Sequence, residues 1–243
     1  MKKKNKFWLC PLIVLGYVLI LTNGCKKDDE KNNNSTVTDI DGNVYHKVKI
    51  GTQTWMVENL KTTRYRNGTP IENQTDNSNW GINIIGAYAW YENDIKWKDK
   101  YGALYNWYAV NNANALCPTG WHVPSDEEWK ILEGAVDSEY GVGDPKWDDT
   151  GYRGFDVGKN LKSTSGWNNN GNGTDLYGFS ALSGGSRYYA GGFYSLGNYG
   201  YWWSSDEAST GGAWGRVLGY SGGQSYRGGY DNDYDFSVRC LRD

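Results

Sequence analysis

Glycine and aromatic residues interleave through the last third of this chain, and that texture restricts its fold more than any other feature. Between Gly171 and Tyr230 lie 17 of the 33 glycines. Among them stand Tyr188, Tyr189, Tyr194, Tyr199, Tyr201, Trp202, Trp203, Trp214, Tyr220, Tyr226 and Tyr230. Each glycine costs a helix interior about 1 kcal/mol, which argues against a helical bundle. Aromatic side chains favour extended backbone. Short strands are therefore expected over Tyr177–Leu182, Tyr201–Ser205, Ala213–Leu218 and Phe236–Leu241, with Gly-Gly turns between them. Aliphatic residues are scarce, so rings must fill much of the core, at about 150–250 Å² each. Trp55, Trp107, Trp121, Trp129, Trp202 and Trp203 are expected inside, and about a third of the loop tyrosines outside.

Elsewhere the signals are more ordinary. Val44, His46, Val48 and Ile50 alternate with polar residues, and Gly51-Thr52-Gln53 turns the chain before Thr54–Glu58 resumes extended structure. Asn67-Gly68 and Asn77-Ser78-Asn79 mark turns. Tyr101–Asn111 suits a short helix or a strand equally. The clearest helix starts after Ser125, which with Glu128 forms a capping box. Asp126, Glu127 and Glu128 suit the positive end of its dipole. Trp129, Leu132 and Val136 form its apolar stripe. A second short helix is expected over Val157–Leu161. No fixed-period repeat and no domain boundary after residue 39 are visible.

The first 24 residues read as an export signal. Lys2, Lys3, Lys4 and Lys6 precede an apolar run from Phe7 to Leu21, which is short for a membrane span. Gly24-Cys25 at the break resembles the lipobox of bacterial lipoproteins, where the cysteine is lipidated. Lys26-Lys27-Asp28-Asp29-Glu30 resembles the signal that sends Bacteroidetes lipoproteins to the outer face of the outer membrane; the plainer reading is a solvated linker. The expected organisation is a signal peptide at 1–24, an anchor and linker at 25–38, and one domain at 39–243. The expected location is the outer membrane, lipid-anchored and facing the exterior, with the periplasmic face as the alternative. Without the four signal lysines the formal charge moves from −3 to −7. An acidic chain is a poor partner for nucleic acid and for anionic lipid, both polyanions, so membrane attachment is assigned to the lipid anchor alone.

With Cys10 in the signal and Cys25 as the anchor, Cys117 and Cys240 remain. In an oxidising compartment they are expected to pair; the alternative is two free thiols, one of them a nucleophile.

The block Leu116-Cys117-Pro118-Thr119-Gly120-Trp121-His122-Val123-Pro124-Ser125-Asp126-Glu127-Glu128-Trp129 resembles the centre of the Fibrobacter succinogenes major paralogous domain. Further blocks agree in order: Gly51–Leu60, Tyr101–Trp107, Gly178–Leu182, Trp203–Ser205 and Ser237–Cys240. The resemblance extends to the C-type-lectin-like superfamily, which includes formylglycine-generating enzymes. It implies an α+β, C-type-lectin-like fold with two helices, a small twisted antiparallel sheet and a long loop region rich in glycine and aromatics. It also implies that the first and last strands lie together near a Cys117–Cys240 bridge.

Chemistry is harder to place. The calcium triplets of sugar-binding C-type lectins are absent, although Trp203-Ser204-Ser205-Asp206 occupies a comparable stretch. Asp231, Asp233 and Asp235 offer oxygens to Ca²⁺, but Phe236 stands where an EF-hand loop needs glycine, and an acidic solvated loop is the plainer reading. His46 and His122, the two histidines, read as hydrogen-bonded structural residues, and no cysteine pair has zinc spacing. There is no Gly-x-Ser-x-Gly elbow, and nothing selects a pair of glycosidase carboxylates. No catalytic residue, cofactor or metal is therefore assigned. The candidates for ligand contact are Tyr188, Tyr189, Tyr194, Tyr199, Asp206, Arg216, Tyr220, Tyr226 and Tyr230, because tyrosine on glycine-rich segments stacks on sugars and anchors protein contacts. The expected function is a non-catalytic surface module that recognises a glycan or a protein. An enzyme of the formylglycine-generating or glycosidase kind, and a structural envelope or fimbria-like component, are the alternatives.

Overall fold

A computed structural model describes residues 36–77 and 84–243. The signal sequence, Cys25, most of the linker, and Ser78 and Asn79 of one expected turn lie outside the described residues. In chain order the strands are β1 (Thr36–Thr38), β2 (Val44–Ile50), β3 (Gln53–Met56), β4 (Glu72–Asn73), β5 (Ala87–Ala89), β6 (Leu104–Asn106), β7 (Trp121–His122) and β8 (Gly151–Arg153). Then come β9 (Ser186–Arg187), β10 (Phe193–Tyr194), β11 (Tyr199–Ser209), β12 (Gly212–Gly219), β13 (Ser225–Asp231), β14 (Asp235–Ser237) and β15 (Leu241–Arg242). The helices are α1 (Lys98–Tyr101), α2 (Trp107–Val110), α3 (Asp126–Val136) and α4 (Val157–Leu161).

Five strands form one sheet in the order β1-β2-β3-β15-β7. The other ten form a second sheet with the path β4-β5-β6-β14-β11-β12-β13-β8, with β9 and β10 attached beside β14. Two of its pairs, β4 with β5 and β11 with β14, run parallel. This corrects the expected α+β, C-type-lectin-like architecture. The domain is mostly β, its sheets are large, and among the described residues only α3 exceeds five helical residues. The cause lies in the glycine- and aromatic-rich segment. Far from looping throughout, it supplies nearly all of β11, β12 and β13, strands of 11, 8 and 7 residues. Their glycines leave room for rings that lie across the sheet. A Cβ at Gly215 would sit 2.9 Å from the Tyr230 ring, and one at Gly228 would sit 2.7 Å from the Tyr226 ring.

The local signals for helix hold. The Ser125 hydroxyl accepts from the Glu128 N–H at 3.2 Å, and the Glu128 carboxylate accepts from the Ser125 N–H at 2.8 Å. This is the complete capping box of α3. Tyr101–Asn111 resolves into both alternatives: β6 passes directly into α2, and the Asn106 side chain caps α2 by accepting from the Ala109 N–H at 3.0 Å. The expected strand at Tyr177–Leu182 is irregular apart from one bridge at Ala181, and Phe236–Leu241 divides between β14 and β15. The last strand does reach the first hairpin, with Leu241 opposite Trp55. Cys117 and Cys240 are joined by a disulfide across 123 positions.

All six expected core tryptophans are buried. Trp202 and Trp203, neighbours on β11, point to opposite faces and enter different clusters, as strand alternation requires. Trp202 joins Trp55, Trp129, Trp147 and Phe179 under α3. Trp203 joins Tyr105, Trp107 and Phe236, and on that face the sheet carries the partly buried Tyr201, Tyr230 and Tyr234.

Candidate functional site: a tyrosine-walled groove

Alternation along the strands assembles one aromatic face. Tyr199, Tyr201 and Trp203 of β11 share it with Ala213, Gly215, Val217 and Gly219 of β12, which stand directly opposite or nearly so. Gly215 lies opposite Gly228, and Ala213 opposite Tyr230, on β13. Small residues in the middle of this face form a shallow floor. Phe236 of β14 stacks on Tyr201 with centroids 5.0 Å apart and meets Tyr230 edge-on at 4.9 Å.

The wall comes from the β9–β10 hairpin. Tyr188 stands edge-on to Tyr234 at 4.8 Å and to Tyr194 at 6.1 Å. Between wall and floor lies a cavity of about 410 Å³, lined by Ser186, Tyr188, Tyr194, Ser195, Tyr201, Tyr230, Tyr234 and Phe236. No lysine, arginine or histidine is in that lining. Burial pushes the phenols of Tyr201, Tyr230 and Tyr234 up, so they remain protonated hydroxyls at neutral pH and can donate hydrogen bonds.

Arg187 holds the hairpin from behind, on the strand face opposite Ser186. Its Nε donates to the Gly191 carbonyl at 3.1 Å, and its two terminal nitrogens donate to the Gln74 carbonyl at 2.6 Å and to Asn77 Oδ1 at 2.7 Å. Asp235, opposite Arg187 in register, is fully buried. Burial holds its carboxyl well above the usual carboxylate range against the pull of the Arg187 charge.

The residues singled out from sequence divide as follows. Tyr188, Tyr194 and Tyr230 line the groove, and Tyr189 packs on Tyr188 at 4.1 Å. Tyr199 continues the aromatic face toward Tyr220, and Tyr226 stands edge-on to Tyr152. Two candidates belong elsewhere. Arg216 is buried on the opposite face of β12, where it pairs with Asp126 at 2.8 Å and Glu133 at 3.2 Å. Asp206 accepts from the Asp126 N–H at 2.7 Å, at the start of α3. Asp231, Asp233 and Asp235 do not converge; among the described residues no group of three His, Cys, Asp or Glu side chains could hold a metal ion. Sequence reasoning missed Tyr201, Tyr234, Phe236, Ser186 and Ser195 as lining. The signal was present in the two-residue spacing of Tyr199 and Tyr201, and of Tyr234 and Phe236.

A second cluster has the outline of a hydrolytic triad. His122 Nδ1 lies 2.7 Å from Asp243 Oδ1, and its Nε2 lies 3.0 Å from each Glu128 oxygen. The Ser125 hydroxyl, however, donates to Glu128 at 3.0 Å. Both ring nitrogens thus face carboxylates, and none accepts from the serine as a general base would. The Glu128 hydrogen bond, with Asp243 assisting, raises the His122 pKa to about 8. The cluster ties the last residues of the chain to the head of α3. His46 makes a similar contact with Glu58 at 2.7 Å.

A mostly β domain that displays a tyrosine-walled groove on one sheet face is the class that fold and site define. Residues 48–242 match the model of the Fibrobacter succinogenes major domain, and the chain belongs to that family. No curated protein and no solved structure matches it. Among the described residues no helix is long and apolar enough to cross a membrane.

Proposed function

We propose that this protein is a binding module that takes a sugar ring into the tyrosine groove. The observation that carries the reading is the cavity itself: six aromatic side chains and two serines converge on about 410 Å³, within the usual range of ligand sites, about 300–1,000 Å³. A pyranose has one apolar face and a rim of hydroxyls. Aromatic rings cover the face, and phenol and serine hydroxyls reach the rim. Tyr188 and Tyr194 remain substantially exposed, at 37% and 58%, so the mouth is open to a polymer.

The export signal and Cys25 support display of this groove at the cell surface on a lipid anchor. Protease treatment of intact cells, with a Cys25→Ser control, tests that placement. Loss of the protein from intact cells supports the exterior; protection supports the periplasmic face. The binding reading is tested on a glycan array with purified protein. Saturable binding that Tyr194→Ala removes, with the melting temperature unchanged, is the expected result. A blank array with folded protein overturns it.

A further inference from the structure

We propose that the ligand of this groove is an amino sugar with a free, protonated amine, held by the tyrosine faces and by the negative field of the adjoining Asp231–Asp233 turn. This inference rests on the sugar reading of the same site and adds the charge of the ligand.

Three observations carry it. The walls are Tyr188, Tyr194, Tyr201, Tyr230, Tyr234 and Phe236. The face of an aromatic ring is its negative pole, so several rings around one cavity favour a cation. The lining holds no basic side chain, and Arg187, which follows the lining residue Ser186, donates to Gln74, Asn77 and Gly191 behind the hairpin.

The third observation is the turn between β13 and β14. It runs directly from lining residue Tyr230 to lining residue Tyr234, closed by the Tyr234 N–H donating to the Asp231 carbonyl at 3.1 Å. Asp231 is exposed there. Its charge adds to the hydrogen bonding and burial that hold the Tyr189 and Tyr234 phenols up, whereas at Tyr188 hydrogen bonds with Tyr234 and Tyr189 outweigh it and lower the pKa. A negative charge on the turn that joins two lining residues disfavours a uronic acid and favours an ammonium.

The test is a titration of the purified protein with three oligosaccharides of equal length: glucosamine, N-acetylglucosamine and a uronic acid. The expected order is glucosamine tightest, by about tenfold over its N-acetylated counterpart, with the uronic acid weakest. Raising the pH until the amine is neutral should remove the advantage. Asp231→Asn should narrow it while leaving binding of the N-acetylated sugar unchanged. Because Asp231 is exposed, an unaltered melting temperature confirms that this variant is folded. Equal or tighter binding of the N-acetylated sugar overturns the inference and leaves the sugar reading standing. No binding of any of the three overturns both for this class of sugar.

Discussion

At the scale of single residues, charge burial decides most outcomes. Glu133 sits at 1% exposure between Arg153 and Arg216 and accepts from the Ser225 hydroxyl at 2.7 Å. Burial pulls Asp126 up, but the hydrogen bond from Arg227 and the charge of Arg216 overcome it and hold the pKa at about 2. Glu133→Gln would leave two buried guanidinium groups short of a counter-charge. The expected cost is about 3–5 kcal/mol, read by urea denaturation. His122 gives a pH-dependent counterpart. Its folded pKa of about 8 exceeds the ordinary value near 6.5, so its contribution is fully present below about pH 6.5 and disappears as pH rises through about 8. Melting temperature should fall between pH 6 and 9, and His122→Gln should flatten that part of the curve. The capping role of Glu128 was legible because Ser125 lies three positions away. Its contact with a histidine that also meets Asp243 was not, because nothing local links positions 121 apart.

At the scale of elements, the glycines are the instructive case. As local punctuation they signal turns, and a long loop region follows from that rule. In β12 and β13 they serve sheet packing, because Gly215 and Gly228 lie beneath tyrosine rings that a side chain would displace. The competing signal was the two-residue rhythm of Tyr199, Tyr201 and Trp203, weaker to the eye than Gly-Gly pairs. The short strands at Tyr201–Ser205 and Ala213–Leu218 were read correctly as strands and too short. Their joining into a ten-stranded sheet depends on partners such as β8 and β14, which no local pattern names. Gly215→Ala tests the packing role. Its Cβ would meet Tyr230 at 2.9 Å and Phe236 at 3.2 Å. We expect overpacking to cost about 1–3 kcal/mol and ligand affinity to fall with it, whereas Gly141→Ala, where a Cβ would meet nothing within 4 Å, should leave affinity unchanged.

At the scale of the whole molecule, long-range closure dominates. The Cys117–Cys240 bridge spans 123 positions, and the chain-entropy account assigns such a loop about 4–5 kcal/mol. Paired Cys117→Ser and Cys240→Ser substitution should lower the free energy of unfolding, read by urea denaturation, by that order, and reductant should act on the native protein in the same direction. The pairing was legible from the cysteine count and the compartment the sequence led us to expect. The mostly β architecture was not, because the family resemblance pointed to a helix-bearing fold and the sheet partners lie far apart in sequence. Three of the eight lining residues, Tyr188, Tyr194 and Tyr230, were legible as tyrosines on a glycine-rich segment, whereas nothing in the sequence marked Tyr201, Tyr234 and Phe236 as facing the same cavity.

The position of β15 has a consequence for how the chain is made. Between β3 and β7 the first sheet takes its fourth strand from residues 241–242, while its other four strands all precede residue 123. A ribosome delivers those four strands more than a hundred residues before the fifth. Throughout that interval β3 and β7 each present an unpaired edge toward a vacant lane. Such edges are what neighbouring nascent chains pair with. The period of greatest risk for this protein is therefore set by the time taken to synthesise its second half.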